Sequence, residues 1–363
     1  MRTRAALLEK HFGTSDLEEV RALGWARKDY PAEDFVSVKF PYTAPGVTDI
    51  PTIKETLSHG VYLTREYARN AYVFKVLDKY AVKISQHEVL LQEAEDLLFL
   101  EKIPQLNTPK VFSAFVEQEP DGSRKRYCLV MEYIPGPNFR EIWGELDETG
   151  KVLLGTRIGE QLKGLRSVSQ ETDSPFYGRV NGKGWSPWIG FLPQNQGGLA
   201  GPYSTHKELM ANVAEKAERN VAYGYHNCTV IPQSTEDALA NLTNGCRNCS
   251  LEDQRPVLTH LQLEPQHIIL RPNDKGDYDI FIIDWEYMGW LPAWIQGVVL
   301  EHHLTWYVGD RLVDFPGQIA VYFGDPGDED LLLDSILKGT GPINRELVGI
   351  MGKCMKEIPL DFI

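Results

Sequence analysis

Long apolar runs are missing from this 363-residue chain. No stretch reaches the roughly 18 consecutive apolar residues that a transmembrane helix needs, and Met1 to Lys10 holds no apolar core of the kind a secretory leader carries. No membrane partner is expected, and a cytoplasmic location is. Basic charge is also in short supply: 37 Lys and Arg stand against 51 Asp and Glu, a net charge of -14 with an isoelectric point near 5.2. Phosphate backbones are gripped by concentrated Lys and Arg, so no nucleic-acid partner is expected either. Cysteines number five, an odd count that suits a reducing compartment better than a disulfide framework. Internal repeats and low-complexity tracts are absent. Three glycosylation sequons, at Asn227, Asn241 and Asn248, are coincidental on this reading.

The composition that remains, 42% apolar and 24% charged, is that of a globular protein, and the length suffices for two lobes. Residues 1–55 combine a short amphipathic stretch with a segment holding Pro31, Pro41, Pro45, Gly46 and Pro51, and read as a wrapping extension. Three strand-like runs follow, Gly60 to Thr64, Ala71 to Leu77 and Tyr80 to Ile84, spaced as antiparallel neighbours. A helical pattern then covers about Gln86 to Lys102 with Leu90, Ala94, Leu97 and Leu98 on one face. Glu93, three after Leu90 and four before Leu97, falls on that same face, where a carboxylate needs a cation; Lys83 is the candidate. Two more strands are expected at Lys110 to Val116 and Tyr127 to Tyr133. Helices are expected at Phe139 to Leu146, at Thr149 to Ser169 with a stripe of Leu153, Ile158, Leu162 and Leu165, at 206–224, from Leu291 to Val308, and at about Glu329 to Lys338 and Asn344 to Lys356.

The segment Val257 to Trp290 carries the chemistry. Two apolar runs flank the turn Pro272-Asn273-Asp274-Lys275-Gly276-Asp277, a hairpin signal. The first run contains His260-Leu261-Gln262-Leu263-Glu264-Pro265-Gln266-His267, and the second ends Ile283-Asp284-Trp285-Glu286. This pattern resembles the catalytic segment of the aminoglycoside phosphotransferase family, in which a His-Gly-Asp-Leu run with an Asn five residues after the Asp precedes a hairpin and an Ile-Asp-Trp-Glu segment. His260, Leu263, Pro265, Asp284, Trp285 and Glu286 fit that pattern. Leu261 stands for the Gly, Gln262 for the catalytic Asp and His267 for the Asn.

The resemblance implies an α+β, protein-kinase-like fold in two lobes: a small antiparallel-sheet N-lobe over 56–133 and a mainly helical C-lobe over 134–363. It implies that Lys83, on the third strand of the N-lobe, and Glu93 handle the nucleotide phosphates. Val130 to Gly136 is similar to the family's hinge, so Met131 and Tyr133 would line the adenine side of the cleft. Asp284 would hold the metal. The cofactors implied are ATP and Mg²⁺; the residues by themselves assign none.

Chemically, the departures matter. In kinase-type transfer the loop Asp orients the acceptor hydroxyl, the Asn holds one metal, and the Asp after the hairpin holds Mg²⁺. A carboxamide such as Gln262 takes no proton at neutral pH, and an imidazole such as His267 favours softer metals than Mg²⁺. A phosphate cradle also needs backbone N–H groups freed by Gly, and Leu57 to Tyr62 contains only Gly60.

Elsewhere, Glu171 to Thr205 carries Trp185, Trp188, Phe191 and Tyr203, rings that suit either an apolar ligand pocket or plain packing. Cys246 and Cys249 have the spacing of half a zinc knuckle, with His226 and Cys228 a poor second half, and free thiols are the default. Glu301, His302 and His303 sit as neighbours on one expected helix and point apart.

Three functions follow. The first is a repurposed enzyme that keeps the cleft, has lost phosphoryl transfer, and acts on a small, apolar metabolite by acid–base chemistry, such as a cyclisation or isomerisation in secondary metabolism. Its candidate catalytic groups are His260, Gln262, Glu264, His267, Asp284 and Glu286. The second is an ATP- and Mg²⁺-dependent small-molecule phosphotransferase with an altered loop. The third is a non-catalytic binding protein. All three have a small-molecule partner, and none states an oligomeric order.

Overall fold

In the computed structural model, residues 2–25, 31–64, 71–119, 122, 124–185, 199–224, 228–275, 277–300, 328–340 and 343–357 are described. The N-terminal half is built on a six-stranded sheet of β1 (Tyr42–Thr43), β2 (Val61–Tyr62), β3 (Ala71–Val76), β4 (Tyr80–Ser85), β5 (Val111–Gln118) and β6 (Lys125–Glu132). The strands lie in the order β1-β5-β6-β4-β3-β2, and every pairing is antiparallel.

Strand alternation decides what each face of this sheet does. Val82 and Ile84 of β4, Phe74 of β3, and Cys128 and Val130 of β6 form one apolar layer. It is closed by Ile53 from the helix Ile53–His59, which a Thr52/Glu55 capping box starts. The residues between them, Ala81 and Lys83 on β4 and Leu129 and Met131 on β6, face the other way. There the helix Val89–Leu100 sets Leu90, Ala94, Leu97 and Leu100 against them. This second layer runs without a break into Leu154, Ile158, Leu162, Leu258 and Trp285 of the C-terminal half, so sheet and helices share one core.

The C-terminal half is mainly helical, with Glu148–Arg166, His206–Gly224, Gln233–Asn248, Asp328–Thr340 and Arg345–Glu357 as its long helices. Glu148–Arg166 and Asp328–Thr340 meet backbone to backbone: a Cβ on Gly159 would lie 2.6 Å from the Gly339 Cα. The buried stripe of Glu148–Arg166 is Leu154, Ile158, Leu162 and Leu165; Leu153, expected in it, is 48% exposed. Spacings of four, four and three keep Leu154 in line, whereas Leu153 lies a further 100° round the helix.

Two small ribbons carry the candidate site. β7 (Pro256–His260) pairs with β10 (Met288–Pro292), and β8 (Ile268–Pro272) pairs with β9 (Tyr278–Ile282). The expected hairpin is thus β8–β9 alone. The earlier apolar run breaks at Leu261, because β7 finds its partner beyond Trp285. The helix expected from Leu291 begins later, at 295, after β10; Glu301, His302 and His303 lie outside the described residues. Leu57-Ser58-His59 belongs to a helix, so the connection between the sheet's first hairpin strands spans 63–70, of which 65–70 lie outside the described residues.

The first helix, Arg4–Phe12, is capped by Thr3 and ended by Gly13 in the left-handed conformation. It packs Leu7 and Leu8 into the core of the C-terminal helices with Leu209, Val213 and Ala217. Farther along, Phe35 and Val36 pack on Leu91. Among the described residues no helix is long and apolar enough to cross a membrane.

Candidate active site

The inner face of β4 delivers Lys83, the helix below it delivers Glu93, and the turn leaving β9 delivers Asp284 and Glu286. The Lys83 ammonium donates to Glu93 Oε2 at 2.8 Å and Asp284 Oδ1 at 2.6 Å, with Glu286 Oε2 at 3.5 Å. Asp284 sits at φ 66°. That left-handed conformation is uncommon outside Gly but tolerated by Asp, and it turns the chain so that the carboxylate faces back toward the sheet. The turn is held by the indole N–H of Trp285, which donates to the Ile282 carbonyl at 2.8 Å.

Three carboxylates share one ammonium, and the charge states follow from that. Burial works against the Lys83 ammonium, but Asp284, Glu286 and Glu93 outweigh it and hold its pKa well above the ordinary value. Burial also pushes up the Glu93 carboxyl, against the pull of Lys83. Asp284 is partly buried, which works the same way, yet Lys83 and His267 keep it below the usual carboxylate range. Glu286 is left as the group least well compensated. Burial, reinforced by repulsion from Asp284 and Glu93, outweighs Lys83 and raises it to about 7.

The loop between β7 and β8 completes the site. The backbone N–H of Gln262 donates to Nδ1 of His260 at 3.1 Å, so the proton of that ring is on Nε2, which donates to the Ile283 carbonyl at 3.1 Å. His260 is 1% exposed and packs edge-on to Trp285 at 4.5 Å. Its two nitrogens thus tie the loop to the Asp284 turn. His267 Nδ1 lies 2.7 Å from the Gln262 carbonyl oxygen, and its Nε2 lies 3.2 Å from Asp284 Oδ2. The Gln262 side chain is buried, and its Oε1 has no hydrogen-bond partner among the described residues. Glu264 accepts from the Gln266 amide.

At the expected hinge, Met131 packs in the shared core. The Tyr133 backbone N–H donates to the Lys79 carbonyl at 3.0 Å, and the Tyr133 ring lies 5.3 Å from Lys75 Nζ. Gly136 has φ 136°, and a Cβ there would come within 2.1 Å of the Leu270 carbonyl oxygen. The chain leaving β6 therefore runs flush against β8.

Several expected candidates are not brought here. Trp185 is 0% exposed, its indole donating to the Met288 carbonyl at 3.2 Å, and Tyr203 is buried beside it, so both are packing residues. Trp188 and Phe191 lie outside the described residues. Cys249 has His206 as its neighbour, at 3.6 Å, and burial lowers the His206 pKa to about 4. His226 and the Cys246 side chain lie outside the described residues. The single group of three or more metal-capable side chains among the described residues is Glu93, Asp284 and Glu286.

Sequence reasoning passed over the other half of the helix Val89–Leu100. Gln92 is fully buried, and its amide donates to the Glu286 carbonyl. Arg179, also fully buried, pairs with Asp96 at 2.9 Å and Glu95 at 3.0 Å and donates to the Phe35 and Gln92 carbonyls. Glu95 in turn accepts from the backbone N–H groups of Ser37 and Val38, at 2.6 and 3.0 Å. A signal was present: the polar block Gln92-Glu93-Ala94-Glu95-Asp96 is flanked by apolar residues on both sides and spreads over the whole helix circumference, so part of it had to be buried and paired.

A two-layer arrangement of an antiparallel sheet with one buried helix, over a helical half carrying a β-hairpin and an Asp at its exit, is the protein-kinase-like fold. The profile of the phosphotransferase enzyme family (APH) matches residues 49–299, more than half of the chain, and the chain belongs to that family. Among solved structures, it is similar to the GDP and kanamycin complex of APH(2")-IIia, at 14% identity, with 81% of each chain covered and a TM-score of 0.50. It is also similar to the GDP complex of a mutant aminoglycoside 2'-phosphotransferase-IIIa, at 12% identity, with 80% of each chain covered and a TM-score of 0.50. At such identities the likeness concerns the fold. No curated protein matches the sequence.

Proposed function

We propose that this chain keeps its family's cleft for a small molecule and acts on it by acid–base chemistry, not by phosphoryl transfer. The observation that carries this reading is the convergence of Glu93, Asp284 and Glu286 on the single Lys83 ammonium. One carboxyl of the three then holds a proton near neutral pH, and Glu286, raised to about 7, is that one. A group titrating near the working pH is the most effective general acid or base. At the position where phosphoryl transfer uses a carboxylate, Gln262 offers an amide oxygen that accepts a hydrogen bond but takes no proton.

The remaining candidates take other roles. His260 is held by two backbone groups and braces the loop, and Glu264 is bound to Gln266. Gln262 Oε1 would orient a substrate hydroxyl or N–H, and Lys83 would stabilise negative charge developing on the substrate. We assign the chain to the cytoplasm and divide it at 55 and 133 into an extension, an N-lobe and a C-lobe, the extension lending β1 and the start of the helix Ile53–His59 to the N-lobe. The apolar character of the substrate is read from Trp188 and Phe191 in the sequence, since Trp185 and Tyr203 of the same segment pack in the core.

One observation favours a second reading. The Lys83–Glu93 ion pair is assembled at 2.8 Å with Asp284 beside it, the arrangement that kinase-type nucleotide handling requires. In that reading Lys83 would hold phosphate oxygens, Met131 and Tyr133 would flank the base, and Asp284 would hold the metal of an ATP complex.

Calorimetry with ATP, with and without Mg²⁺, separates the two. The expected result is no binding at millimolar ATP. Micromolar, Mg²⁺-dependent binding that disappears in Asp284→Ala would overturn the proposal and restore phosphotransfer. Incubation with a small-metabolite extract in D₂O then tests the chemistry: the wild type should deuterate or consume a compound that Glu286→Gln leaves untouched. If neither protein changes the extract, the site is a binding site only.

A further inference from the structure

The chain leaving the short helix Ala32–Phe35 enters the interior without forming another helix or strand: Phe35 and Val36 are both buried, Phe35 against Leu91. Buried backbone groups need partners, and here side chains supply them. The Phe35 carbonyl accepts from Arg179 Nη1 and, at 2.9 Å, from Asn181 Nδ2. The Val36 carbonyl accepts from Lys183 Nζ at 2.7 Å. The N–H groups of Ser37 and Val38 donate to Glu95 Oε1 at 2.6 and 3.0 Å, and the other oxygen of Glu95 accepts from Asn181 at 2.6 Å and pairs with Arg179 at 3.0 Å. Every peptide group from Phe35 to Val38 is thus held between the helix Val89–Leu100 and the turn 179–183.

That turn belongs to the C-terminal half and is itself fixed. The Arg179 N–H donates to the Lys183 carbonyl at 2.9 Å and the Lys183 N–H to Asn181 Oδ1 at 2.9 Å, while Gly178 and Trp290 of β10 exchange backbone bonds at 3.2 and 2.7 Å. From it a line of buried hydrogen bonds reaches the candidate site. Arg179 Nη2 donates to the Gln92 carbonyl at 3.2 Å, and the Gln92 amide donates to the Glu286 carbonyl. Gln92 precedes Glu93, so the residue that grips the Glu286 backbone adjoins the one that meets Lys83.

We propose that Phe35 to Val38 form a strap that positions the cleft: seated between Glu95 and the turn 179–183, it holds the helix Val89–Leu100, and through Gln92 the Asp284–Glu286 turn, in the arrangement that gathers three carboxylates on Lys83. Arg179, Glu95 and Gln92 are positioning residues on this account, acting through backbone groups and not on a substrate. The proposal deepens the acid–base reading and rests on it in taking this cleft to be the working site.

Electrostatics gives the strap its purpose. Carboxylate oxygens of Glu93, Asp284 and Glu286 lie within 4.8 Å of one another, and Lys83 is their shared cation. Repulsion among acids at that range works to part the helix from the Asp284 turn. A restraint from outside the cluster opposes it, and the strap supplies one from behind the helix. Its own seating depends on side-chain contacts, not on a sheet ladder, so it can leave without unravelling a strand, and its departure unlocks the cleft.

Hydrogen–deuterium exchange of the full-length protein, read by mass spectrometry, tests this without a substrate. Asn181→Ala combined with Lys183→Ala removes contacts the turn makes with the strap and leaves the helix Val89–Leu100 unaltered in sequence. The expected result is exchange at least tenfold faster than wild type at 36–39, followed by 89–100 and 284–288, with 148–166 unchanged and Lys83 acetylated faster by acetic anhydride. Glu95→Ala, which removes the strap's other anchor, should give the same pattern. Gln92→Met should loosen 284–288 while the strap stays protected, because it cuts the line beyond Arg179. Leu8→Ala is the control for lowered stability alone: it truncates the core of the C-terminal helices and should speed exchange at 206–224 while Lys83 keeps its wild-type acetylation rate.

A strap that stays protected in both anchor variants would overturn the proposal. So would freed strap amides with 89–100 and 284–288 as protected as in the wild type, a uniform rise that includes 148–166, or Lys83 exposed as much by Leu8→Ala as by the anchor variants. Because exchange is read without substrate, a wild type inert in the D₂O assay overturns the acid–base reading alone.

Discussion

Arg179 and Asp96 form an ion pair at 2.9 Å in which neither side chain is exposed to water at all. Arg179 comes from the loop after Glu148–Arg166 and Asp96 from the helix that also carries Glu93, so the pair fixes that helix about one turn beyond Glu93. Burial drives the Asp96 carboxyl well above its usual range, and Arg179 draws it back. Arg179→Met is therefore expected to destabilise the protein by about 3–5 kcal/mol, because it leaves a buried acid without its cation. The double variant Arg179→Met with Asp96→Leu should recover much of that loss. Urea unfolding of the three proteins checks this, and equal stability of the single and double variants would count against it.

Glu286 sets a pH dependence whose sign follows from its raised pKa. In the folded protein it releases its proton near pH 7 instead of the ordinary 4.5. Between those values the folded state binds a proton that the unfolded state has lost, so stability decreases as pH rises. Its contribution is fully present below about pH 4.5 and lost as pH passes through about 7. Asp284 acts in the other direction, its contribution being lost only as pH falls below the ordinary 3.8. Melting temperatures of wild type and Glu286→Gln from pH 4.5 to 7.5 should diverge in slope, the variant being flatter; parallel curves would remove Glu286 as the titrating group.

Gly136 is placed where no other residue fits. Its φ of 136° and the 2.1 Å approach of a Cβ to the Leu270 carbonyl oxygen predict that Gly136→Ala shifts the hinge off β8. The conformational strain alone costs about 1–3 kcal/mol. Gly144, where a Cβ would meet nothing within 4 Å, is the control: Gly144→Ala should change the melting temperature little. A Gly136→Ala protein as stable as that control would contradict the contact.

Much of the fold was legible because strand and helix periods are local. The alternation in Tyr80 to Ile84 separates Val82 and Ile84 from Lys83, and the three- and four-residue spacing around Glu93 puts it on the buried face. Leu153 shows where locality fails: Leu153 and Leu154 are both apolar, and only the position of the neighbouring helix decides which is buried. The strand that ends at His260 likewise cannot be separated from the following run until β10 supplies its partner.

The sequence by itself determined the family, the antiparallel sheet followed by helices, and the residue types at the loop positions: amide at 262, imidazole at 267, carboxylates at 284 and 286. Tertiary structure alone decided their states. That Glu286 is raised to about 7, that His260 is a brace while His267 faces Asp284, and that Arg179 pins the helix of Glu93 all depend on groups far apart in the chain meeting within a few ångströms of one another. Charge interactions at that range outweigh anything a residue's sequence neighbours impose.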